Sequence, residues 1–344
     1  MRPMIVMTLL VAPVAAQDSR LSVGPLRPQP GQTVSAMVAA PPGRDGTAEV
    51  PISVIRGVRP GPVLALIAGN HGYEYTPILA LQKALTAIDA KQLAGSLILV
   101  HVANMPSFLG RTIYFSPVDG KNLNRVYPGK RDGTQSERIA WLITTEVIEK
   151  ADYVLDLHCG DGNESLRPYL YQAVTGDKAM DERIAALALS FGMDHIVLDR
   201  NRPKDPAQSL YCSTTAITRG KPALTIESGF LGVSDAGSVE AILRGVRGTM
   251  GHLKMMETAA APAVRPVYYE PSEVIASPAT GILYWHVERD QQVAKGALVA
   301  HVTDFFGKKI GEMRAPFDGL VLYVVATPPI SKGQPVAFIG ATRK

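Results

Sequence analysis

Continuously apolar segments alternate with amphipathic segments through most of the chain after residue 60. The apolar runs predict strands at 63–68, 96–102, 153–157, 196–198 and 223–226. The amphipathic segments predict helices at 77–90, 136–150, 181–191 and 238–257. Strands that lack polar alternation are typical of a sheet covered on both faces. The pattern therefore predicts an α/β fold, with a mostly parallel or mixed sheet flanked by helices.

The two ends of the chain follow different patterns. Before the alternating region, the segments 32–38 and 48–55 predict edge strands that lead into the main domain, which we expect to span 17–257. After it, residues 258–266 are small, contain proline and lack periodicity, which indicates a domain boundary. Short β-like runs separated by glycine then predict a small all-β domain over 267–344.

Residues 1–16 have the features of a secretory signal peptide. Arg2 precedes a short apolar stretch, and the small residues Ala15 and Ala16 precede a polar segment. Such a stretch is too short to remain as a membrane-spanning helix of the mature protein. We therefore expect cleavage after about Ala16 and a periplasmic or secreted protein with no membrane span.

Charge and cysteine content exclude several classes of protein. The formal net charge is only +4 over 344 residues, which gives no reason to expect binding to nucleic acid or to an anionic membrane. The two cysteines, Cys159 and Cys212, are too few for a disulfide framework. An oxidising compartment would permit one bridge between them. The sequence does not decide whether this bridge forms. It also leaves the oligomeric state undecided, and a homo-oligomer is one of the alternatives.

Three side chains that can bind a metal follow predicted strands. His71 and Glu74 form an H-x-x-E pair in GNHGYE, directly after the strand at 63–68, and His158 ends another apolar run. The carboxyl ends of strands in an open α/β sheet form the usual ligand crevice. Two imidazoles and one carboxylate can hold one zinc ion there and leave a fourth position for water. The alternative is that both histidines are loop residues satisfied by backbone hydrogen bonds.

Two acidic residues, Glu227 and Asp156, also lie at or near the ends of predicted strands. Glu227, in TIESG, leaves a further apolar run. A glutamate beside a metal can take a proton from water and pass it to the leaving group, whereas without a metal an exposed strand-end glutamate is the simpler interpretation. Asp156 precedes His158 by two residues, and whether it orients that imidazole is left open.

A long loop at 111–129 separates the two histidines and has little hydrophobic patterning. It carries Arg111, Asn124 and Arg125, which are residue types suited to binding a carboxylate or polarising a carbonyl. Solvated surface arginine is the ordinary alternative. The position of the loop beside the candidate metal site favours a binding role.

Four segments, GNHGYE, DGKNLNRVYPG, DLHCG and TIESG, occur in the order found in a known family. Through them, the chain from about residue 63 to 257 resembles the succinylglutamate desuccinylase/aspartoacylase family of zinc-carboxypeptidase-like hydrolases. The resemblance implies a zinc-carboxypeptidase-like mixed sheet flanked by helices. It also implies one zinc ion per chain, bound by His71, Glu74 and His158.

The same resemblance implies catalytic and binding roles. Glu227 would act as general base and acid, and Arg111 would polarise the carbonyl and stabilise the oxyanion. Asn124 and Arg125 would bind the substrate carboxylate, and Tyr211 is the candidate for a tyrosine that often lines such sites. The expected reaction is hydrolysis of an amide bond that removes the acyl group from a small N-acyl amino acid.

Two alternatives to a secreted deacylase remain open. More distant relatives of the family release C-terminal amino acids from peptides, so one alternative is a metallocarboxypeptidase that acts on peptides or cell-wall fragments. The other is a non-catalytic binding protein that keeps the pocket. The predicted signal peptide departs from the usual cytosolic members of the family, which puts intracellular substrates such as succinylglutamate in doubt.

The C-terminal segment resembles the biotinyl/lipoyl-like β-domain through ASPATG at 276–281, VAKG at 293–296 and APFDG at 315–319. Carrier versions of this domain present a modifiable lysine at a hairpin tip. Phe305 occupies the corresponding position here, which argues against a carrier role. We therefore expect this domain to serve as a lid or an assembly surface.

Overall fold

The computed structural model describes residues 21–257 and 265–343. The predicted signal peptide at 1–16 and most of the predicted boundary segment lie outside these residues. In the described ranges, the first nine strands, β1 to β9, are Gln32–Ala39, Glu49–Arg56, Arg59–Ala68, Ala94–Val100, Tyr153–His158, Glu164–Leu166, Tyr169–Ala173, His195–Asp199 and Ala223–Glu227. The remaining strands, β10 to β17, are Val267–Ala276, Gly281–Trp285, Gln292–Val293, Leu298–Thr303, Lys309–Arg314, Gly319–Val325, Pro329–Ile330 and Pro335–Thr342.

The α-helices of the same ranges, α1 to α6, are Tyr75–Ala87, Met105–Gly110, Gln135–Ile143, Lys178–Phe191, Cys212–Ile217 and Ala236–His252. A π-helical turn at Thr144–Ile148 continues α3, and single 3₁₀ turns form at Leu123–Arg125 and Pro206–Gln208. Over the part of the chain that the structure describes, no helix combines the length and apolar character needed to cross a membrane.

The predicted main strands and long helices are all present, with ends that differ by a few residues. Helix α6 ends at His252 rather than at 257, and α1 begins at Tyr75 rather than at 77. The short strands β6 and β7 and the short helices α2 and α5 were not predicted. Strand β6 has only three residues and α2 and α5 have only six each, so their sequence patterns are weak signals.

Parallel strands in the order β4-β3-β5-β9 form the centre of the main sheet. Strands β2 and β1 extend one side in antiparallel pairing, as expected of the two edge strands predicted from the sequence. On the other side β7 lies antiparallel to β9 and β8 lies parallel to β7. The sheet is therefore mixed, and the carboxyl ends of β3, β5 and β9 meet at one edge of it.

The apolar runs are continuous because helices cover both faces of this sheet. In β3, Leu64 and Leu66 pack into one core together with Leu81 of α1 and Ile242 of α6. The alternate residues of the same strand pack into a second core, on the face covered by α3 and α5. Residues two apart in a strand point to the same face, so both series have to be apolar here.

The C-terminal strands continue the main sheet. Strand β10 pairs in parallel with β8, and β17 and β15 follow it in antiparallel order. Strands β14, β13, β11 and β16 form a separate four-stranded antiparallel sheet. The second sheet packs on the strands that extend the main sheet through a core that includes Leu283, Val299, Val321 and Ile339. The C-terminal region is all-β, as predicted, and is hydrogen-bonded directly to the α/β region.

The loop between the two histidines is fixed to the start of helix α3. The Asp119 carboxylate accepts hydrogen bonds from the backbone N–H and the hydroxyl of Ser136, both at 2.8 Å. Lys121 forms an ion pair with Glu137 at 3.1 Å. Burial alone would raise the pKa of Glu137, but hydrogen bonds from the Thr134 N–H and Lys121 outweigh it and lower this pKa to about 2. These contacts hold residues 122–125 in place beside the carboxyl ends of the central strands.

Candidate active site

His71, Glu74 and His158 converge where β3 and β5 end. Nδ1 of His71 lies 2.6 Å from one carboxylate oxygen of Glu74, and Nδ1 of His158 lies 2.8 Å from the other. All three side chains are buried, and one donor atom from each lies within 4.8 Å of the others. Gly69 lets the chain turn towards this cluster directly after β3, because it adopts a φ of +73°, a conformation that favours glycine.

The three side chains form a donor set suited to a divalent cation. Without a proton or a cation between them, the Nδ1 lone pairs would face the Glu74 carboxylate in a buried place, which is unfavourable. Burial alone would lower the pKa of both histidines. Glu74 outweighs this effect and raises the pKa of His71, and Asp156 together with Glu74 raises the pKa of His158. Burial alone would raise the pKa of Glu74, but the two histidines outweigh it and lower this pKa to about 2. A cation would fit here in place of these protons.

A chain of buried hydrogen bonds supports His158 from behind. Nε2 of His158 lies 2.9 Å from Oδ1 of Asp156, which also accepts from the Asn70 amide at 2.9 Å. The Tyr127 hydroxyl in turn donates to Oδ1 of Asn70 at 3.0 Å. Asp156 and His158 are two apart in one strand, so their side chains point to the same face of the sheet. An Nε2–H donated to Asp156 leaves the Nδ1 lone pair directed at the metal position.

Changing Asp156 to Asn should weaken metal binding without removing a ligand. The amide is neutral and can present an N–H to Nε2, which disfavours the tautomer that directs the Nδ1 lone pair inward. Loss of such an outer contact typically lowers metal affinity about 10- to 100-fold. Competition with a chromophoric chelator would measure the change, with Asp318→Asn, an exposed carboxylate of the C-terminal sheets, as the matched control. Equal affinities for the two variants would contradict this role.

The asparagines of the loop contact the imidazoles. Oδ1 of Asn122 lies 3.1 Å from Nε2 of His71, and the Asn124 amide nitrogen lies 3.2 Å from Nε2 of His158. Oδ1 of Asn124 accepts from the N–H of Cys212 at 2.8 Å. Asn124, predicted to bind substrate, is therefore buried against His158 and α5, whereas Asn122 lines the adjacent cavity.

Glu227 lies beside His158 because β9 pairs in parallel with β5, with Glu227 and His158 in register. Its side chain faces the cavity that contains His71 and Glu74. Burial raises the pKa of Glu227, His158 lowers it, and the carboxylates of Glu74 and Glu164 raise it again, so the pKa lies well above its usual value. A raised pKa makes the protonated form more accessible, which suits a group that takes up a proton and then releases it.

A cavity of about 420 Å³ extends from the candidate metal site. The catalytic edge of the main sheet provides one side, including Glu227 and the tyrosines Tyr169 and Tyr171. The C-terminal strands contribute further wall residues, which include Tyr323, Val325 and Ile330. The C-terminal region therefore forms part of the cavity wall. The volume is in the range of pockets for small molecules.

Of the predicted arginines and tyrosine, only Arg125 lines this cavity. Its guanidinium lies 4.7 Å from the ring centre of Tyr211 and donates to the carbonyl oxygen of Asn124 at 2.8 Å. Tyr211 thus supports Arg125 and does not face the cavity itself. Arg111 is exposed at the end of α2, away from the cavity wall.

Glu164 and Tyr114 are cavity residues that the sequence analysis did not single out. The Tyr114 hydroxyl donates to Oε1 of Glu164 at 2.7 Å, and the tyrosine ring packs edge-on against His71 at 5.9 Å between centres. Tyr114 adopts a φ of +57°, which is unfavourable for a bulky residue and indicates that its surroundings hold it there. Glu164 lies on β6, which among the described strands pairs only with β15 of the C-terminal region.

Both cysteines are free and buried, so the disulfide that the sequence left open is not formed. Cys159 lines the cavity next to His158, and Cys212 begins α5. Burial raises the pKa of both thiols well above the usual value. Neither is therefore an activated nucleophile.

A mixed α/β sheet with a His₂Glu cluster and a free carboxylate at its carboxyl edge defines a hydrolase-type fold and site. Residues 60–253 match the succinylglutamate desuccinylase/aspartoacylase catalytic domain. The chain is 30% identical over 302 residues to the N-alpha-acetyl-L-2,4-diaminobutyric acid deacetylase of Halomonas elongata, with 86% of each protein covered. The chain belongs to the succinylglutamate desuccinylase/aspartoacylase family.

Solved structures agree with this assignment. The product-bound ectoine utilization protein EutE of Ruegeria pomeroyi superposes with a TM-score of 0.80 and 27% identity, over 92% of this chain and 97% of that one. A succinylglutamate desuccinylase of Silicibacter gives a TM-score of 0.79 and 26% identity, over 92% and 96%. The coverage includes the C-terminal strands, so the relatives share the whole architecture described above. Named relatives are deacylating hydrolases.

Proposed function

We propose that this protein is a zinc-dependent amidohydrolase that removes the acyl group from a small N-acyl amino acid. The observation that carries this proposal is one cavity that joins three features: the cluster of His71, Glu74 and His158, the free carboxylate of Glu227, and the Arg125 guanidinium. These are a metal site, a proton carrier and a carboxylate-binding group. The deacylating relatives support the same reaction class.

The reaction assigns a role to each of these side chains. When bound by the His₂Glu cluster, a zinc ion would polarise the scissile carbonyl and make a water molecule more acidic. Glu227 accepts the proton of the attacking water and passes it to the amide nitrogen, for which its raised pKa suits it. Arg125, supported by Tyr211, binds the carboxylate of the amino acid. Asn122 accepts from the Nε2–H of His71, and Asp156 accepts from the Nε2–H of His158, which keeps the two imidazoles in position.

Arg111 remains our proposal for stabilising the oxyanion. In the structure it is exposed at the end of α2, so the role requires Arg111 and the adjoining residues 112–113 to move inward when substrate binds, while Tyr114 and Asp119 stay in place. Such a movement would bring the guanidinium towards the scissile carbonyl, where negative charge develops. Arg111→Lys tests it, because a charge that cannot make the same paired hydrogen bonds should lower kcat more than it raises KM.

The cavity favours a deacylase over a carboxypeptidase. A peptide substrate needs space that continues past the reacting bond, and in this cavity the C-terminal strands contribute Tyr323, Val325 and Ile330 to the wall. The space of about 420 Å³ suits one acylated amino acid. The names of the relatives cover an acylated diamino acid and an acylated glutamate, so likeness alone leaves the charge of the substrate side chain open.

We also make proposals about the localisation of the protein and about its C-terminal region. We propose that the mature protein is periplasmic or secreted, which rests on the basic and apolar start of the sequence. We propose a biotinyl/lipoyl-like ancestry for the C-terminal region, supported by its two-sheet arrangement. Phe305 lies between β13 and β14, at the hairpin tip where carriers have lysine, which supports a non-carrier role.

The test is metal content and turnover measured on one sample. Purified mature protein should contain about one zinc ion per chain and release amine from N-acetyl amino acids, and a chelator should abolish that release until zinc is restored. Short peptides with a free C-terminus form the comparison panel. Faster release of a C-terminal residue from peptides would support the carboxypeptidase instead. A metal-free protein that stays inert after zinc is added would support a binding protein and reject our proposal.

A further inference from the structure

The charged side chains that line the cavity are mostly acidic. Besides Glu74, which belongs to the metal cluster, Glu164 and Glu227 both face the cavity. Among the described residues, Arg125 is the only arginine or lysine that does so. One guanidinium can bind one substrate carboxylate. A substrate with a second carboxylate on its side chain would have no further arginine or lysine of the cavity to bind it, and that carboxylate would face Glu164.

Other arginines near the cavity do not change this balance. Arg202 packs against the rings of Tyr171 and Tyr211, but its guanidinium is paired with Asp199 at 2.5 Å. Arg111 is exposed and outside the cavity wall. Both are therefore poor partners for a second acidic group in the cavity as it stands.

Glu164 is held in a defined position but has no cationic partner. Oε1 accepts from the Tyr114 hydroxyl at 2.7 Å, and Oε2 accepts from the backbone N–H of Asp161 at 3.1 Å. Strand β6 fixes its backbone, because Glu164 is in register with Val325 of β15. Within the described ranges Glu164 forms no ion pair with lysine, arginine or histidine. A carboxylate removed from bulk water without a counter-ion is costly unless a cation is supplied.

Glu164 also has no role in the proposed reaction. Glu227 carries the proton, and the metal ligands are complete without a further carboxylate. Both Glu164 oxygens are held by donors that fix its direction, which is how a recognition group is kept rigid. Burial raises the pKa of Glu164, and a bound cation would offset that effect.

We propose that Glu164 is a specificity-determining residue that binds an ammonium group on the side chain of the substrate. The preferred substrate class is then an N-acyl amino acid with a short cationic side chain, whose own carboxylate is bound by Arg125. This inference rests on the proposed deacylase function and narrows it. It excludes acylated dicarboxylic amino acids as preferred substrates, although such a compound gives the family part of its name.

The experiment compares three probes that differ only at the end of the side chain. Nα-acetyl-2,4-diaminobutyrate ends in an ammonium, Nα-acetylnorvaline in a methyl group of similar size, and N-acetylglutamate in a carboxylate. With zinc-loaded wild-type protein, kcat/KM should be highest for the ammonium probe and at least about 100-fold lower for the carboxylate probe. In Glu164→Gln, the ratio of kcat/KM for the ammonium probe over the methyl probe should fall about 10- to 100-fold.

Two further variants separate recognition from structure. Tyr114→Phe removes the hydroxyl that orients Glu164 but keeps the charge, so the same ratio should fall by a smaller factor. Glu240→Gln makes the same chemical change on the exposed face of α6, where Glu240 pairs with Lys83, and should leave the ratio unchanged. Melting temperature and zinc content establish that each variant is folded.

The outcomes distinguish this inference from the proposed function. Turnover with a preference for N-acetylglutamate, or an unchanged ratio in both Glu164→Gln and Tyr114→Phe, would overturn the role of Glu164 and leave the deacylase intact. A wild-type protein that binds zinc but hydrolyses none of the three probes, nor any other N-acyl amino acid, would overturn both.

Discussion

Replacing Glu227 by Gln should reduce kcat for N-acyl amino acid hydrolysis by about 10³-fold or more, because the variant loses the group that carries the proton from water to the leaving amine. The side chain keeps its size, and its neighbours His158 and Glu74 are untouched. Zinc content should therefore stay at the wild-type level. Steady-state kinetics and metal analysis of the same preparation measure both quantities.

Glu240→Gln again provides the matched control, since this carboxylate is half exposed and paired with Lys83 on the surface. It should retain wild-type kcat. Wild-type rates in Glu227→Gln would remove Glu227 from the mechanism. A loss of zinc along with activity would mean that Glu227 supports the metal site, so that the rate alone could not be interpreted.

Replacing His158 by Ala should abolish both zinc binding and activity. The imidazole is one of three side chains that form the candidate metal site, and it is buried, so no other described side chain can take its place without rearrangement. A site reduced from three ligands to two loses most of its affinity for zinc. We expect less than about a tenth of the wild-type metal content after dialysis, measured by elemental analysis.

His252→Ala is a suitable control because His252 is exposed at the end of α6 and is not one of the candidate metal ligands. Its zinc content should equal that of wild type. Full zinc occupancy and activity in His158→Ala would refute the metal site. Zinc loss with full activity would separate the metal from the reaction and refute the mechanism.

The central fold and the metal cluster could be predicted because they depend on local pattern. Apolar runs without polar alternation identified the strands that are covered on both faces, and the carboxyl-end rule then brought His71, His158 and Glu227 to one edge. Asp156 needed only the two-residue period of a strand, which the sequence already shows. Its role behind His158 was left open although that period would have given the answer.

The part of the cavity wall around Glu164 could not be predicted because it depends on contacts between distant parts of the chain. Glu164 lies in GDGNESL, a segment with no hydrophobic period, and its position is set by pairing with β15. In the same way, the loop positions of Arg111 and Asn124 follow from the anchoring of that loop on α3. Residue type alone suggested that both would face substrate. Folding instead exposes one and buries the other.

The pairing of β6 with β15 also bears on how this protein can evolve. The proposed catalytic residues lie at the carboxyl ends of β3, β5 and β9, whereas β15, which positions the proposed specificity residue Glu164, comes later in the chain. Changes in β15 and the turn that follows it can reshape the cavity wall around Glu164 while the catalytic strands keep their sequence. If Glu164 selects the substrate as proposed, a new substrate preference can arise by mutation of β15 and its neighbouring turn, with the proposed catalytic residues unchanged.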